Sequence, residues 1–184
     1  GGELRVEERR VSWEILDAWR EAAAACGIPK IAEFNRGDNF GNAYFQMTQR
    51  RGVRWSATKA FLRPIRHREN LTVMTEAQVR RVLIESRDGR RRATGVELRQ
   101  ADQHGRRIAA RREVVLAAGA IGSAQILQLS GIGPGALLKE CGVDVLHDLP
   151  GVGDNLHDHL QIRTIYKVAN TVTLNGRANS ILGK

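Results

Sequence analysis

The sequence predicts an α/β fold on three observations. An apolar run at Val114–Ala118 leads through Gly119-Ala120 into a segment with a helical apolar face. Between residues 70 and 110, short alternating stretches separated by polar turns form the pattern of an antiparallel β-meander. Near the start, Ile15, Leu16, Trp19, Ala23 and Cys26 fall on one face of a helix that could cover a sheet.

The stretch from Arg112 to Leu160 organises the rest. Val114–Ala118 is short and unbroken, as suits a central, fully buried strand. Ser123 is placed as an N-cap, Ile126, Leu127 and Leu129 as the apolar face of the helix, and Gly131 as its C-cap. Strand, glycine turn and helix N-terminus in succession bring backbone close to a nucleotide or phosphate. A side chain at Gly119 would obstruct that approach. The clusters Gly131-x-Gly133-x-Gly135 and Gly151-x-Gly153 lack the full GxGxxG spacing, and read as a helix stop and a turn.

The remaining elements follow from local signals. Leu4–Val6 is extended, and Ser12 caps a helix running to Cys26 that Gly27 and Pro29 stop, with Trp13 and Trp19 as core anchors. Asn35–Asn42 is a turn-rich loop. Tyr44–Gln49 and Val53–Trp55 make a hairpin around Arg50-Arg51-Gly52, and Ser56 caps a short helix that Pro64 ends or kinks. Strands are expected at Leu71–Met74, Gln78–Glu85, Ala93–Arg99 and Arg106–Ala110. Downstream come a helix at Ala136–Cys141 capped by Gly142, a strand at Val143–Leu146, and a tight turn at Pro150-Gly151-Val152-Gly153. A further strand is expected from the alternation of Leu160, Ile162, Thr164 and Tyr166.

Composition narrows the function classes. With 184 residues and 42% hydrophobic content, the chain can bury a core. No apolar stretch reaches the length of a membrane span, and GGELRVEERR is unlike a signal peptide. Cys26 and Cys141 are expected as buried thiols; with no CxxC they define no disulfide framework or metal site, and a reducing cytoplasm is the default. The charge of +9 comes largely from Arg87–Arg92 and Arg106–Arg112, beside turn signals at Asp88-Gly89 and Asp102–Gly105. They read as exposed hairpin ends sharing no common face. The alternative is a basic nucleic-acid-binding module, although no pattern of stacking aromatics accompanies the arginines. His157, Asp158 and His159 lack the second ligand pair a metal would want, and Ser123 and Ser130, outside any GxSxG elbow, read as structural.

Two motifs carry a family resemblance. AAGAIGSAQILQLSGIG (Ala117–Gly133) and LPGVGDNLHDH (Leu149–His159) closely resemble the glucose-methanol-choline flavin oxidoreductases, in particular their choline dehydrogenase-like members; Ala124 stands where that family has proline. The resemblance implies a partial Rossmann-type FAD/NAD(P)-binding domain with a β-meander and the start of a substrate-binding sheet. Residues 1–159 would be the central part of the FAD-binding domain and 160–184 the start of the substrate domain. It implies FAD as cofactor and oxidation of a primary alcohol, choline-like or other, to an aldehyde, with the acceptor (oxygen, quinone or another) left open.

By the same resemblance, the cofactor-side residues are Val79, Ala118, Gly119, Asn155, Asp158 and His159. Val79 would meet the adenine through its backbone, while Asp158 and His159 would hydrogen-bond backbone at the junction of the two domains. Thr48–Pro64 would lie beside the flavin and substrate. A catalytic histidine is expected after residue 184 and a glycine fingerprint before residue 1, so the chain reads as an internal fragment. Alone, it would neither bind FAD tightly nor turn over alcohols.

Overall fold

The computed structural model of the protein describes residues 2–35, 37–100 and 103–178. The chain divides into two compact units, one of Gly1–Thr72 with Arg163–Lys184 and one of Val73–Ile162.

In the first unit, helix α1 spans Glu14–Ala25. It begins two residues after Ser12: Trp13 is the N-cap residue, with no side-chain cap. Glu14 and Asp17 instead place negative charge in the first turn, where the helix dipole favours it. The apolar face exists as expected but is covered thinly. Ala23 is buried, whereas Trp19 remains 51% exposed, so it is no core anchor. With Trp13, Leu16, Tyr166 and Leu174, Trp19 lines an open apolar cleft of about 910 Å³. Cys26 is likewise exposed, as is Cys141 in the other unit, against the expectation of buried thiols.

Asn42 does what loop composition alone could not indicate. It is buried, and its amide donates to the carbonyls of Ile28 (2.8 Å) and Pro29 (3.3 Å) while its oxygen accepts from Arg20 Nε (3.2 Å). All of its polar atoms are thus satisfied, which is what makes burial tolerable. The hairpin is β1 (Gln49–Arg50) paired with β2 (Val53–Arg54), shorter than expected on its first arm. A π-helical turn, Thr58–Leu62, follows and passes into α2, Arg63–Ile65. Ser56 Oγ accepts from Lys59 N–H (3.4 Å) at the start of that segment, and Pro64 sits in the first turn of α2.

The second unit is built on the meander. Strands β3 (Gln78–Arg87), β4 (Arg90–Gln100) and β5 (Gln103–Ala109) form one antiparallel sheet in the order β3-β4-β5. Asp88 and Gly89, both at positive φ, make the tight first turn, because a mirror-image turn matches strand twist. Arg36, Ala101 and Asp102 lie outside the described residues, so the turn expected at Asp102–Gly105 falls partly outside them. Leu71–Met74, expected as a fourth strand, has no ladder.

Helix α3, Gly119–Leu129, packs on β3. It is followed by β6 (Ile132–Gly133), α4 (Gly135–Glu140) and β7 (His147–Asp148). β6 and β7 pair in parallel across α4, in the manner of an α/β crossover. The strand expected at Val143–Leu146 therefore lies slightly downstream. Val143 N–H is used to close α4, on the carbonyl of Leu138 (2.8 Å), and pairing begins only afterwards.

Two further expectations need correction. Val114–Ala118 is not a buried central strand: it pairs with nothing among the described residues, Val115 is 77% exposed, and Ala118 already bends into α3 (φ −86°, ψ 14°). The stretch around Leu160, Ile162 and Tyr166 likewise forms no strand and is exposed. An apolar run signals burial but cannot supply the partner that a strand needs.

The arginines of the first hairpin are exposed as expected. The two clusters nonetheless touch, since Arg92 Nη2 donates to the carbonyl of Arg111 (3.0 Å), and Arg91 Nη1 lies 3.1 Å from His147 Nδ1.

Gly95, opposite Ala109 on β5, tests the meander's packing. A Cβ there would stand 2.2 Å from the Ile108 carbonyl oxygen and 3.1 Å from Ala109 Cα, so backbone would have to move. Gly95→Ala should destabilise the protein by about 1–3 kcal/mol, read from a shifted midpoint in urea denaturation.

Candidate functional site

The residues singled out for a cofactor all lie in the second unit, and Val79, Ala118, Gly119 and Asn155 are arranged about α3. Val79 sits on β3 opposite Leu98 and is half-buried. β3 is an edge strand, so alternate N–H and C=O groups along it face away from β4. One of these, the Val82 N–H, donates to Ser130 Oγ at the end of α3 (2.8 Å). Between β3 and α3 lies a cleft of about 420 Å³, lined by Val79, Arg80, Glu97 and Gln125 among others.

Glu97 is the dominant electrostatic feature. It is buried on β4, and its carboxylate accepts from Arg80 Nη1 (3.2 Å) and from Arg81 Nε (3.2 Å) and Nη2 (2.9 Å). The Arg81 hydrogen bonds hold its carboxyl below the usual carboxylate range; desolvation opposes them, and the charges of Arg81, Arg80 and Arg107 reinforce them.

At the other end of α3 stand Ala118 and Gly119, both exposed. Ala118, the N-cap residue, offers no side-chain cap; its own N–H donates back to Ser123 Oγ (3.1 Å). Ser123, expected as the N-cap, is thus inside the helix, five residues beyond the observed N-cap Ala118, and it steadies the chain entry from within. Gly119 has φ of 81°, a left-handed value, and a Cβ there would meet nothing within 4 Å. The helix N-terminus therefore presents uncovered backbone donors beside open space.

A second cleft, about 560 Å³, lies between α3 and residues 153–157. Asn155, at φ of 56°, lines it with Ile121, Gln125 and Gln128, and Gln128 Nε2 donates to the Val152 carbonyl (3.0 Å). Asp158 and His159 line neither cleft and are exposed; Asp158 Oδ1 accepts the N–H of His159 (2.7 Å) and lies 3.8 Å from its Nδ1. Gln125, which borders both clefts, and Glu97 were missed in the sequence. Each is a polar residue inside an otherwise apolar run, and that contrast was the available signal. Among the described residues, no group of three His, Cys, Asp or Glu side chains is placed to hold a metal.

A chain with this sequence and arrangement belongs to the GMC oxidoreductases: the family model matches residues 2–161. Its mixed helix and sheet, with the antiparallel meander, is part of a Rossmann-type FAD-binding domain of that family. Among curated relatives, an oxygen-dependent choline dehydrogenase of Photobacterium profundum is 40% identical over 91% of this chain and 28% of its own length. An alcohol dehydrogenase [acceptor] of Pseudomonas putida is 38% identical over 98% of this chain and 32% of its own. In structure, pyridoxine 4-oxidase from Mesorbium loti matches with a TM-score of 0.73 and 33% identity, over 82% of this chain and 29% of that one. An FAD-dependent oxidoreductase from Chaetomium thermophilum gives 0.76 and 27%, over 82% and 26%. The chain thus spans roughly 30% of the curated relatives' length.

The depressed Glu97 carboxyl gives a pH signature. A group whose pKa falls on folding stabilises above its unfolded pKa, and that contribution is lost as pH drops through the folded value. The wild type should therefore exceed Glu97→Gln in stability at neutral pH, and the gap should close on acidification below the ordinary carboxylate range. Urea midpoints measured along a pH series check this; a gap that does not change with pH would contradict it.

Proposed function

We propose that the whole protein is a flavin-dependent oxidoreductase converting a primary alcohol, choline-like or other, to an aldehyde. The family match over residues 2–161 carries this reading. The bound FAD would supply the electron-accepting chemistry, and the protein's part is binding, orientation and exclusion of water. The acceptor stays unassigned, and a cytoplasmic location accords with the cysteine pattern; among the described residues no helix is long and apolar enough to cross a membrane.

Within that protein, we assign residues 1–159 to the FAD-binding domain and 160–184 to the start of the substrate domain. The local structure fits such a cofactor. Gly119 leaves open space where any other residue would project a Cβ, beside uncovered N–H groups of α3. The Val79 region offers an edge-strand backbone. Val79, Ala118, Gly119 and Asn155 would border the cofactor, with Asp158 and His159 continuing the loop that holds Asn155. No proton-transfer role falls to residues of this chain. The nucleic-acid alternative gains no support: Arg91 and Arg92 are spent on neighbouring elements, and the family matched is an oxidoreductase family.

The test is the full-length protein, which should purify yellow and reduce its flavin when given a primary alcohol. A colourless protein that takes up no FAD would refute the reading. Gly119→Val should lower flavin content about tenfold, because a β-branched side chain at left-handed φ costs about 1–2 kcal/mol and enters the open space. The flavin-to-protein absorbance ratio measures it, and a normal ratio would remove Gly119 from the site.

A further inference from the structure

A chain of net charge +9 keeps one acid almost entirely inside its main sheet: Glu97, 6% exposed, the only buried acid among the described residues. Both oxygens are occupied by two consecutive arginines of the neighbouring strand. Arg81 stands directly opposite Glu97, whereas the register shifts between Val79 and Arg81, leaving Arg80 as the extra residue of a β-bulge. A bulge re-aims the strand next to it, and here both of its residues are tied to one carboxylate. The residue it adjoins is Val79.

Burial argues that this cluster is there for placement. A buried ion pair often adds little net stability compared with apolar residues of similar volume, since desolvating the charges offsets their attraction. What the pair does supply is direction: Arg81 reaches Glu97 through two nitrogens and Arg80 through one, so the backbone from Val79 to Arg81 has little freedom to slide. The same arginine hydrogen bonds keep the carboxyl ionised at neutral pH, so the grip does not relax there.

We propose that Glu97 is a positioning residue for the cofactor: by holding Arg80 and Arg81 it sets the bulge that presents the Val79 backbone to the adenine of FAD. This rests on the reading above that Val79 meets the adenine. Glu97 acts through β3 and touches no reacting atom.

The experiment uses apoprotein of the full-length protein, as wild type, Glu97→Gln and Arg81→Lys, titrated with FAD and with ADP as a probe of the adenine end alone. Both variants should bind FAD and ADP about tenfold more weakly, the scale of one charge-assisted interaction lost. At saturating FAD, the bound flavin's absorption bands should stay at their wild-type positions, because the isoalloxazine end is undisturbed. Wild-type FAD and ADP affinities in the variants would overturn the positioning role while leaving the flavoprotein reading intact. Flavin bands that shift in step with affinity would mark a general loss of structure and overturn it too, as would failure of both variants to fold. If only Glu97→Gln fails to fold, Arg81→Lys, which keeps the charge but loses the two-nitrogen grip, decides alone. Wild-type apoprotein that takes up no FAD would overturn both readings.

Discussion

The hydroxyl of Ser130 joins helix α3 to the open side of the meander. It donates to the Ile126 carbonyl within its own helix (2.6 Å) and accepts the Val82 N–H of β3 (2.8 Å). An edge strand leaves such donors unpaired, and a buried one without a partner costs about as much as a lost hydrogen bond. Docking α3 there satisfies the donor and lets Val82 and Ile126 bury together. Everything downstream hangs from this junction. The Gly131 carbonyl, one residue on, accepts from both Leu146 (2.8 Å) and His147 (2.9 Å), which seats the β6–β7 pair. Both clefts border α3, so their shape follows from how it is held.

The charge of this chain divides into two populations. Arg80 and Arg81 are half-exposed but directed inward, onto Glu97. Those about the Asp88-Gly89 turn lie at the surface; the pair Arg87–Asp88, 3.9 Å apart with both side chains more than 90% exposed, contributes little. A high net charge read from composition averages over the two and hides the one that shapes the sheet. What distinguishes Glu97 is its place opposite the Arg80–Arg81 bulge of β3.

Much of the fold was legible because turns are written locally. Asp88-Gly89 announced its hairpin, Gly142 followed the end of α4, and the alternation from Gln78 onward marked the meander. What failed were inferences that needed a partner. Val114–Ala118 and the stretch from Leu160 to Tyr166 have the composition of strands, yet pairing depends on residues elsewhere, and none among those described provides it. Trp19 and Cys26 failed for the same reason: periodicity named their common face but not what would cover it. At the candidate site, Gly119 is marked by the glycine turn after an apolar run and Asn155 by the family resemblance of its motif; the structure gives both a positive φ. Gln125 and Glu97 contrast with their apolar neighbours, but that contrast gives neither a role until α3 and β4 meet across β3.

The unpaired run at Val114–Ala118 has a bearing on how the polypeptide behaves outside its intended surroundings. Five consecutive apolar residues, without charge or proline, carry backbone groups that find no ladder among the described residues. Such a segment is a template for another strand, and an identical copy is always the most abundant candidate. Arg111, Arg112 and Glu113 immediately before it act as gatekeepers, since stacking copies in register would bring like charges together. Self-association of this chain would thus depend on ionic strength: salt that screens the arginines would remove the restraint on the apolar run they guard.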